Sequence, residues 1–308
     1  MAARKRIIVT GATGLIGKAL CRALIARDYE VVIFSRSAGA ARERVPGAAE
    51  YVAWTPEEDG PWVGKLDGAW GVVSLAGASV AGKRWTEDYK RELRESRVLG
   101  TRGLVRAMTL AKERPLVFVS GSAVGYYGAR DDTPLDESAP PGDDFLAHLV
   151  KDWEAEARQA EALGVRTVMI RSGVVLDRDG GALPRLKLPV QLFVGGPILP
   201  GTQWFPWIHL ADEIGILLLA LEDERARGPI NASGPAPQTN RDFYKTLGTV
   251  MGRPIWAPVP GFALKIAVGE FADTLVTGQR VIPKKALELG YEFQYPTSES
   301  ALRAVLAQ

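Results

Sequence analysis

Short, uninterrupted apolar runs alternate along the first half of the chain with longer stretches in which apolar residues recur every three or four positions. Ile7 to Val9, Glu30 to Ser35, Gly71 to Ala76, Leu116 to Ser120 and Arg166 to Arg171 read as strands. Their apolar positions are consecutive rather than alternating, as in strands covered on both faces. Leu15, Ile16, Ala19, Leu20, Ala23 and Leu24 recur at helical spacing, and helical patterns also span roughly Trp85 to Ala111 and Asp143 to Leu163. This alternation predicts right-handed crossovers and a mostly parallel sheet with helices on both faces. The second half changes character. Leu176 to Phe205 is rich in Gly and Pro, Ile208 to Glu222 is a strong helix, and Pro229 to Ala232 is a short strand. From Arg241 onward, helices alternate with proline-bearing loops.

Between the first strand and the first helix lies Gly11-Ala12-Thr13-Gly14-Leu15-Ile16-Gly17. Gly11 suits a tight turn, Gly14 a close approach of backbone to a pyrophosphate, and Gly17 close packing of helix on strand. The pyrophosphate is expected on the free amides at the helix N-terminus, with Thr13, Leu15 and Ile16 around it. A nucleotide-hydrolase phosphate loop is disfavoured, because its first glycine falls at Ala12 and Ala19 follows Lys18 in place of Ser or Thr. The expected fold is therefore α/β: a Rossmann-type doubly wound parallel sheet with a smaller C-terminal lobe. Residues 1–175 form the dinucleotide domain, with 207–233 returning to it. Residues 176–206 and 234–308 form the smaller substrate lobe.

The second strand names the cofactor. It ends Ser35-Arg36-Ser37 without the carboxylate that takes a ribose 2′-hydroxyl, and Glu30 sits at the wrong end. Arg36, helped by the Ser35 and Ser37 hydroxyls, suits a 2′-phosphate, so NADP(H) is expected. The Leu75-Ala76-Gly77 backbone is expected near adenosine and ribose. Ser120 ends a further strand, and the backbone from Arg171 to Val175 is expected at the nicotinamide.

Composition narrows the classes. With 308 residues, 46% hydrophobic and 24% charged, the chain can bury a sizeable core. A net charge of +2, from 38 basic and 36 acidic residues, offers nothing for a nucleic-acid or anionic-membrane partner. The lone Cys21 suits a reducing compartment. The basic start runs into Gly11 and Gly14 too soon for a cleavable signal. Leu188 to Ala211 lacks charge but is broken by Pro189, Pro197, Pro200 and Pro206, which rules out a lipid-spanning helix. A cytoplasmic protein is expected.

These pieces, in this order, resemble the extended short-chain dehydrogenase/reductase superfamily, and look most similar to its atypical "epimerase family" branch with a C-terminal domain of unknown function. The markers are the Gly11–Gly17 loop, Ser74-Leu75-Ala76-Gly77, the stretch from Ser120 to Gly128, Trp153-Glu154, Arg171 to Leu176, Gly195-Gly196-Pro197 and Phe205 to His209. The resemblance implies a Ser, a Tyr and a Lys four residues after it as proton-transfer machinery. Ser122 matches the serine. Aligned on Glu154, however, Leu146 falls at the tyrosine position and Val150 at the lysine position, with Lys151 turned about 100° away. Arg97 stands where asparagine is usual. Tyr126 and Tyr127 become the nearest alternative proton donors. Glu92 and Arg97 on one helix are expected at ribose or the nicotinamide-side phosphate, or Arg97 at an anionic substrate. Trp204, Phe205 and Trp207 either wall an apolar pocket or form core between lobes.

His148 and His209 lack metal-ligand spacing, so no metal is expected, and His209 with Asp212 reads as a helix start. A homodimer through the two long helices is usual in the superfamily. The leading expectation is an oxidoreductase-like NADP(H) protein acting on an unidentified small molecule. The alternatives are a non-catalytic NADPH-binding sensor or regulatory module, and a sugar-nucleotide epimerase or dehydratase.

Overall fold

The computed structural model describes residues 4–56 and 60–307. The first half contains β1 (Arg6–Thr10), α1 (Leu15–Ala26), β2 (Glu30–Ser35), α2 (Ala38–Arg44), β3 (Glu50–Ala53), β4 (Gly71–Ser74), α3 (Glu87–Leu110), β5 (Val117–Ala123), α4 (Phe145–Arg158) and β6 (Arg166–Ser172). There follow β7 (Val174–Leu176), α5 (Leu183–Gln191), β8 (Trp204–Phe205), β9 (Trp207–His209), α6 (Leu210–Glu222), β10 (Gly228–Ala232), β11 (Gln238–Thr239) and α7 (Asn240–Met251). The chain ends with α8 (Gly261–Val268), α9 (Ala272–Leu275), α10 (Lys284–Glu288) and α11 (Ser298–Leu306).

Seven strands form one sheet in the order β3-β2-β1-β4-β5-β6-β10, each pair parallel. The consecutive apolar runs are explained by two cores. Ile7, Val9, Val31, Ile33, Val117 and Val119 face one layer, where Leu20 and Leu24 of α1 and Ile216 and Leu217 of α6 pack. Ile8, Val32, Phe34 and Phe118 face the other, against Leu104 and Met108 of α3 and Ala157 of α4. Successive strand residues point to opposite faces, so a doubly covered sheet needs apolar side chains at every position.

A third core belongs to the second half. Leu176, Leu183, Val190, Trp207, Phe243, Leu247 and Leu302 join β7, α5, β9, α7 and α11. Asp212, buried on α6, anchors the C-terminal stretch by accepting from the Gln294 and Tyr295 amides at 2.8 and 3.1 Å and from the Tyr291 hydroxyl at 3.1 Å. It lies in the first turn of α6, as its place near a helix start suggested, and it also ties down a distant segment. His209 is the N-cap of α6, its Nδ1 accepting from the Ala211 amide at 3.0 Å.

Some boundaries differ from the sequence pattern. Helix α3 starts at Glu87 because the Thr86 side chain caps it, and α4 starts at Phe145 because Asp144 accepts from the Ala147 amide. Residues 159–163 tighten into a 3-10 turn that ends at Gly164, φ +80°. Helix α5 lies inside the Gly- and Pro-rich stretch, with proline in its first turn where no amide is missed. Among the described residues no helix is long and apolar enough to cross a membrane.

Candidate functional site

Strand order reverses direction between β1 and β4, which opens a crevice at their carboxyl ends. A cleft of about 490 Å³ lies there and continues past the ends of β5 and β6. Gly11, Gly14, Gly17, Leu15 and Ile16 line one end, Leu75 and Gly77 the middle, and Ser122, Ser172 and Val175 the other end.

The three glycines divide their tasks sterically. Gly11 has φ +68°, and a Cβ there would stand 2.5 Å from the Leu75 carbonyl. A Cβ on Gly17 would overlap the Gly11 carbonyl oxygen and stand 2.7 Å from Ala12 Cα, so α1 sits directly on the turn. Gly14 is the open one: its Cβ would meet only Gly11 O, at 3.3 Å. Gly14 caps α1 without a side chain, leaving the first helical amides facing the cleft. Thr13 is half-buried in the loop and is not part of the wall. Thr10 locks this end in place: its Oγ1 accepts from the Ala76 amide at 3.2 Å and donates to Ser74 Oγ at 3.4 Å. The Ala76 amide is thereby occupied, and Ala76 is not part of the wall, whereas Leu75 and Gly77 line the cleft.

At the end of β2, the register Thr10↔Phe34 carries Ser35 and Arg36 alongside the glycine turn. Ser35 Oγ accepts from the Ser37 amide at 3.3 Å, and Ser37 Oγ caps α2 through the Ala40 amide at 3.3 Å. Arg36 is exposed. No described residue hydrogen-bonds it, pairs with its charge or stacks on it.

Arg97 of α3 lines the cleft and donates to the Leu93 and Ala78 carbonyls at 3.0 and 2.9 Å, its guanidinium over the Trp153 ring. Among the described residues no carboxylate pairs with it, and burial pushes it down to about 10. Glu92 does not join it. That side chain is half-exposed and accepts from Lys83 at 3.0 Å, because a spacing of five places the two on different helix faces.

The far end is built on two serines. Ser122 Oγ donates to Glu154 Oε1 at 2.7 Å, and Ser172 Oγ donates to Glu213 Oε1 at 2.6 Å. Beside Ser122, Leu146 and Val150 form the apolar wall. Three expected site residues are directed elsewhere. Arg171 is 1% exposed and forms a bidentate pair with Glu154, Nε–Oε1 2.8 Å and Nη2–Oε2 2.9 Å. Burial opposes its charge, but Glu154 and Tyr127 outweigh it and hold the guanidinium above its ordinary value. Tyr127 is fully buried, donates to Asn231 Oδ1 at 2.7 Å and accepts from Arg171 at 2.9 Å; burial pushes its phenol up to about 12. Its hydroxyl is engaged in the scaffold, and Tyr127 is not part of the cleft wall. Ser120 is likewise buried, its hydroxyl donating to the Gly121 carbonyl at 3.0 Å. Tyr126 stands between the two cases: it stacks under the Arg171 guanidinium at 3.5 Å and its hydroxyl has no hydrogen bond among the described residues, but it is not itself part of the cleft wall, which its neighbour Gly125 lines.

The backbone expected at this end is also partly spent. The Gly173 and Val174 amides donate to the Ala232 and Pro206 carbonyls at 2.8 and 2.7 Å. The aromatic stretch lies away from the cleft: Trp207 is in the C-terminal core, Phe205 stacks on Phe243, and Trp204 Nε1 donates to Asp132 at 2.8 Å. Glu213 was not anticipated. Its signal is an acid pair, Asp212-Glu213, opening an otherwise apolar helix, which marks buried carboxylates needing partners. Among the described residues no group of three or more His, Cys, Asp or Glu is placed to hold a metal ion.

Comparison with known proteins agrees with this geometry. Residues 7–232 match the NAD dependent epimerase/dehydratase family, and residues 259–305 match a domain of unknown function, DUF1731. The chain is similar to the epimerase family protein YfhF of Bacillus subtilis, 39% identical over 98% of each chain. It is also similar to the chloroplastic SDR39U1 homolog of Arabidopsis thaliana, 39% identical over 97% of this chain and 86% of the relative. Among solved structures, human epimerase family protein SDR39U1, crystallised with NADPH, superposes with a TM-score of 0.87 at 37% identity, covering 98% of this chain and 99% of that one. A UDP-glucuronic acid 4-epimerase from Bacillus cereus, 17% identical with a TM-score of 0.78, shares the fold. The chain belongs to the NAD dependent epimerase/dehydratase family, in its atypical extended short-chain dehydrogenase/reductase branch.

Proposed function

We propose that the protein binds NADP(H) and acts as an oxidoreductase on a small molecule seated beyond the nicotinamide. The observation that carries this reading is the single cleft, continuous from the glycine turn to the two serines. The residues present fit the dinucleotide. The turn has no room for side chains at Gly11 and Gly17 yet is open at Gly14, and the capless start of α1 offers amides to a pyrophosphate. Arg36, beside the turn and without a partner among the described residues, suits a 2′-phosphate, and a 37% identical relative was crystallised with NADPH. When bound, the nicotinamide supplies or takes up a hydride. The chain must supply the rest: orientation, exclusion of water and one proton.

The proton is the unusual part. Leu146 and Val150 stand where the resemblance places a phenol and an amine, and neither side chain transfers protons. The Ser122 proton is committed to Glu154. In this reading Tyr126, with its unclaimed hydroxyl, is the donor, and Arg97 holds an anionic or ribose group at the wall. A screen of carbonyl compounds that follows NADPH absorbance tests turnover, and Tyr126→Phe tests the donor. Turnover that Tyr126→Phe lowers by roughly 10²-fold or more supports the assignment. Undiminished turnover refutes the donor. The same apolar wall at Leu146 and Val150 favours a second reading, a non-catalytic NADPH sensor, which the screen supports if no compound is reduced while NADPH binds. The proposal includes a cytoplasmic location, in keeping with the single cysteine, Cys21, which is free and buried.

A further inference from the structure

Glu213 is the one carboxylate of the cleft end whose purpose the reading above leaves open. It is completely buried on the first turn of α6, and only one of its oxygens is used, accepting from Ser172 Oγ. Oε2 has no hydrogen-bond partner among the described residues, a costly arrangement for a buried carboxyl. Its neighbour Asp212 illustrates the contrast, with both oxygens engaged by the C-terminal segment. Burial pushes Glu213 up to about 7. A group this expensive to bury, with a single contact to a residue on the cleft wall, acts through that contact.

What the contact does follows from direction. With Glu213 ionised, as it is above pH 7, the serine proton goes to the carboxylate and Ser172 Oγ presents only lone pairs to the cleft. It is the polar side chain at the end of β6 that remains available there. The Gly173 and Val174 amides are already spent on Ala232 and Pro206, and Arg171 faces away into its pair with Glu154. A dinucleotide with adenosine over the end of β2 and pyrophosphate on α1 places its other nucleoside over β5 and β6, where Ser172 stands. The nicotinamide ring carries one strong donor, the carboxamide NH₂. We propose that Ser172 Oγ accepts a hydrogen bond from the nicotinamide carboxamide, and that Glu213 is the positioning residue that keeps the serine an acceptor. This rests on the NADP(H) reading and deepens it: the contact fixes which face of the ring is turned to the substrate space beside Ser122 and Leu146.

The test compares NADP⁺ with its 3-acetylpyridine analogue, which has a methyl group in place of the carboxamide NH₂, by calorimetry on the full chain well above pH 7, where Glu213 is ionised. The wild-type protein binds NADP⁺ more tightly than the analogue. Ser172→Ala is expected to weaken NADP⁺ roughly three- to tenfold, one neutral hydrogen bond, and to leave the analogue within twofold. In Glu213→Gln the amide can donate to Ser172 and turn the serine proton toward the cleft, so the preference for NADP⁺ over the analogue falls or reverses. A merely structural Glu213 would weaken both ligands alike. Preferences equal to wild type in both variants overturn the inference while leaving the NADP(H) reading intact. A wild-type protein that binds neither dinucleotide overturns both.

Discussion

Glu154→Gln tests the scaffold beneath the cleft with a change of one charge and almost no volume. Glu154 and Arg171 are 3% and 1% exposed, and the two carboxylate oxygens accept two guanidinium hydrogen bonds and one from Ser122. In the glutamine variant one of those acceptors becomes a donor that faces either Arg171 or Ser122, and the guanidinium loses its counter-charge. Arg171 keeps the Tyr127 hydroxyl, at 2.9 Å, which cannot neutralise it. Removing one partner of a buried pair costs about 3–5 kcal/mol, because the other charge stays desolvated. At about 2 °C per kcal/mol for a chain of this size, the midpoint should fall by about 6–10 °C. Urea unfolding followed by tryptophan fluorescence measures the free energy directly. Combining Glu154→Gln with Arg171→Met closes the cycle: with the guanidinium gone, the stranded charge is gone too. The double variant should therefore cost less than the two single changes summed, by about 2 kcal/mol or more. A loss under about 1 kcal/mol for Glu154→Gln, with additive single effects, would refute the reading of this pair as a buried, mutually dependent ion pair beneath the cleft.

Two further outcomes follow from the site. Gly17→Ala places a methyl group against the Gly11 carbonyl and Ala12, so α1 must move off the turn; a loss of about 1–3 kcal/mol in urea unfolding is expected, together with weakened NADPH binding, whereas Gly14→Ala should leave stability nearly unchanged. Glu213 is raised by burial from 4.5 to about 7, so the folded state holds its proton more tightly than the unfolded chain. Its contribution to stability is present below pH 4.5 and is lost as pH rises through 7; unfolding free energies measured across that window should fall in the wild type and flatten in Glu213→Gln, and parallel profiles would contradict the assignment.

Most of the framework was legible because its signals are local. The Gly11–Gly17 loop carries its steric logic within seven consecutive positions, and the doubly buried strands show it in unbroken apolar runs. The exposed place of Arg36 just after β2 could be read from the residues at one strand end. Short edge elements were harder. In β3, Glu50–Ala53 is only partly buried, and β7 and β9 are three-residue strands that exist through their mutual pairing. Side-chain direction was harder still. Arg171 and Tyr127 sit in the expected segments, but their side chains turn away from the ligand space toward partners 17 and 104 positions distant, Glu154 and Asn231. Ser172 and Glu213, 41 positions apart, meet only when α6 packs against the sheet. No spacing rule reports such meetings; the acid pair in an apolar helix was the one cue available.

Calorimetric titration of the wild-type protein and Arg36→Glu with NADPH and with NADH reaches the central claim most directly. Loss of charge-assisted contacts to the 2′-phosphate costs about 1.5–3 kcal/mol, so NADPH should bind the variant roughly ten- to a hundredfold more weakly while NADH changes little. Equal losses for the two dinucleotides, or no heat from either with the wild-type protein, would contradict it.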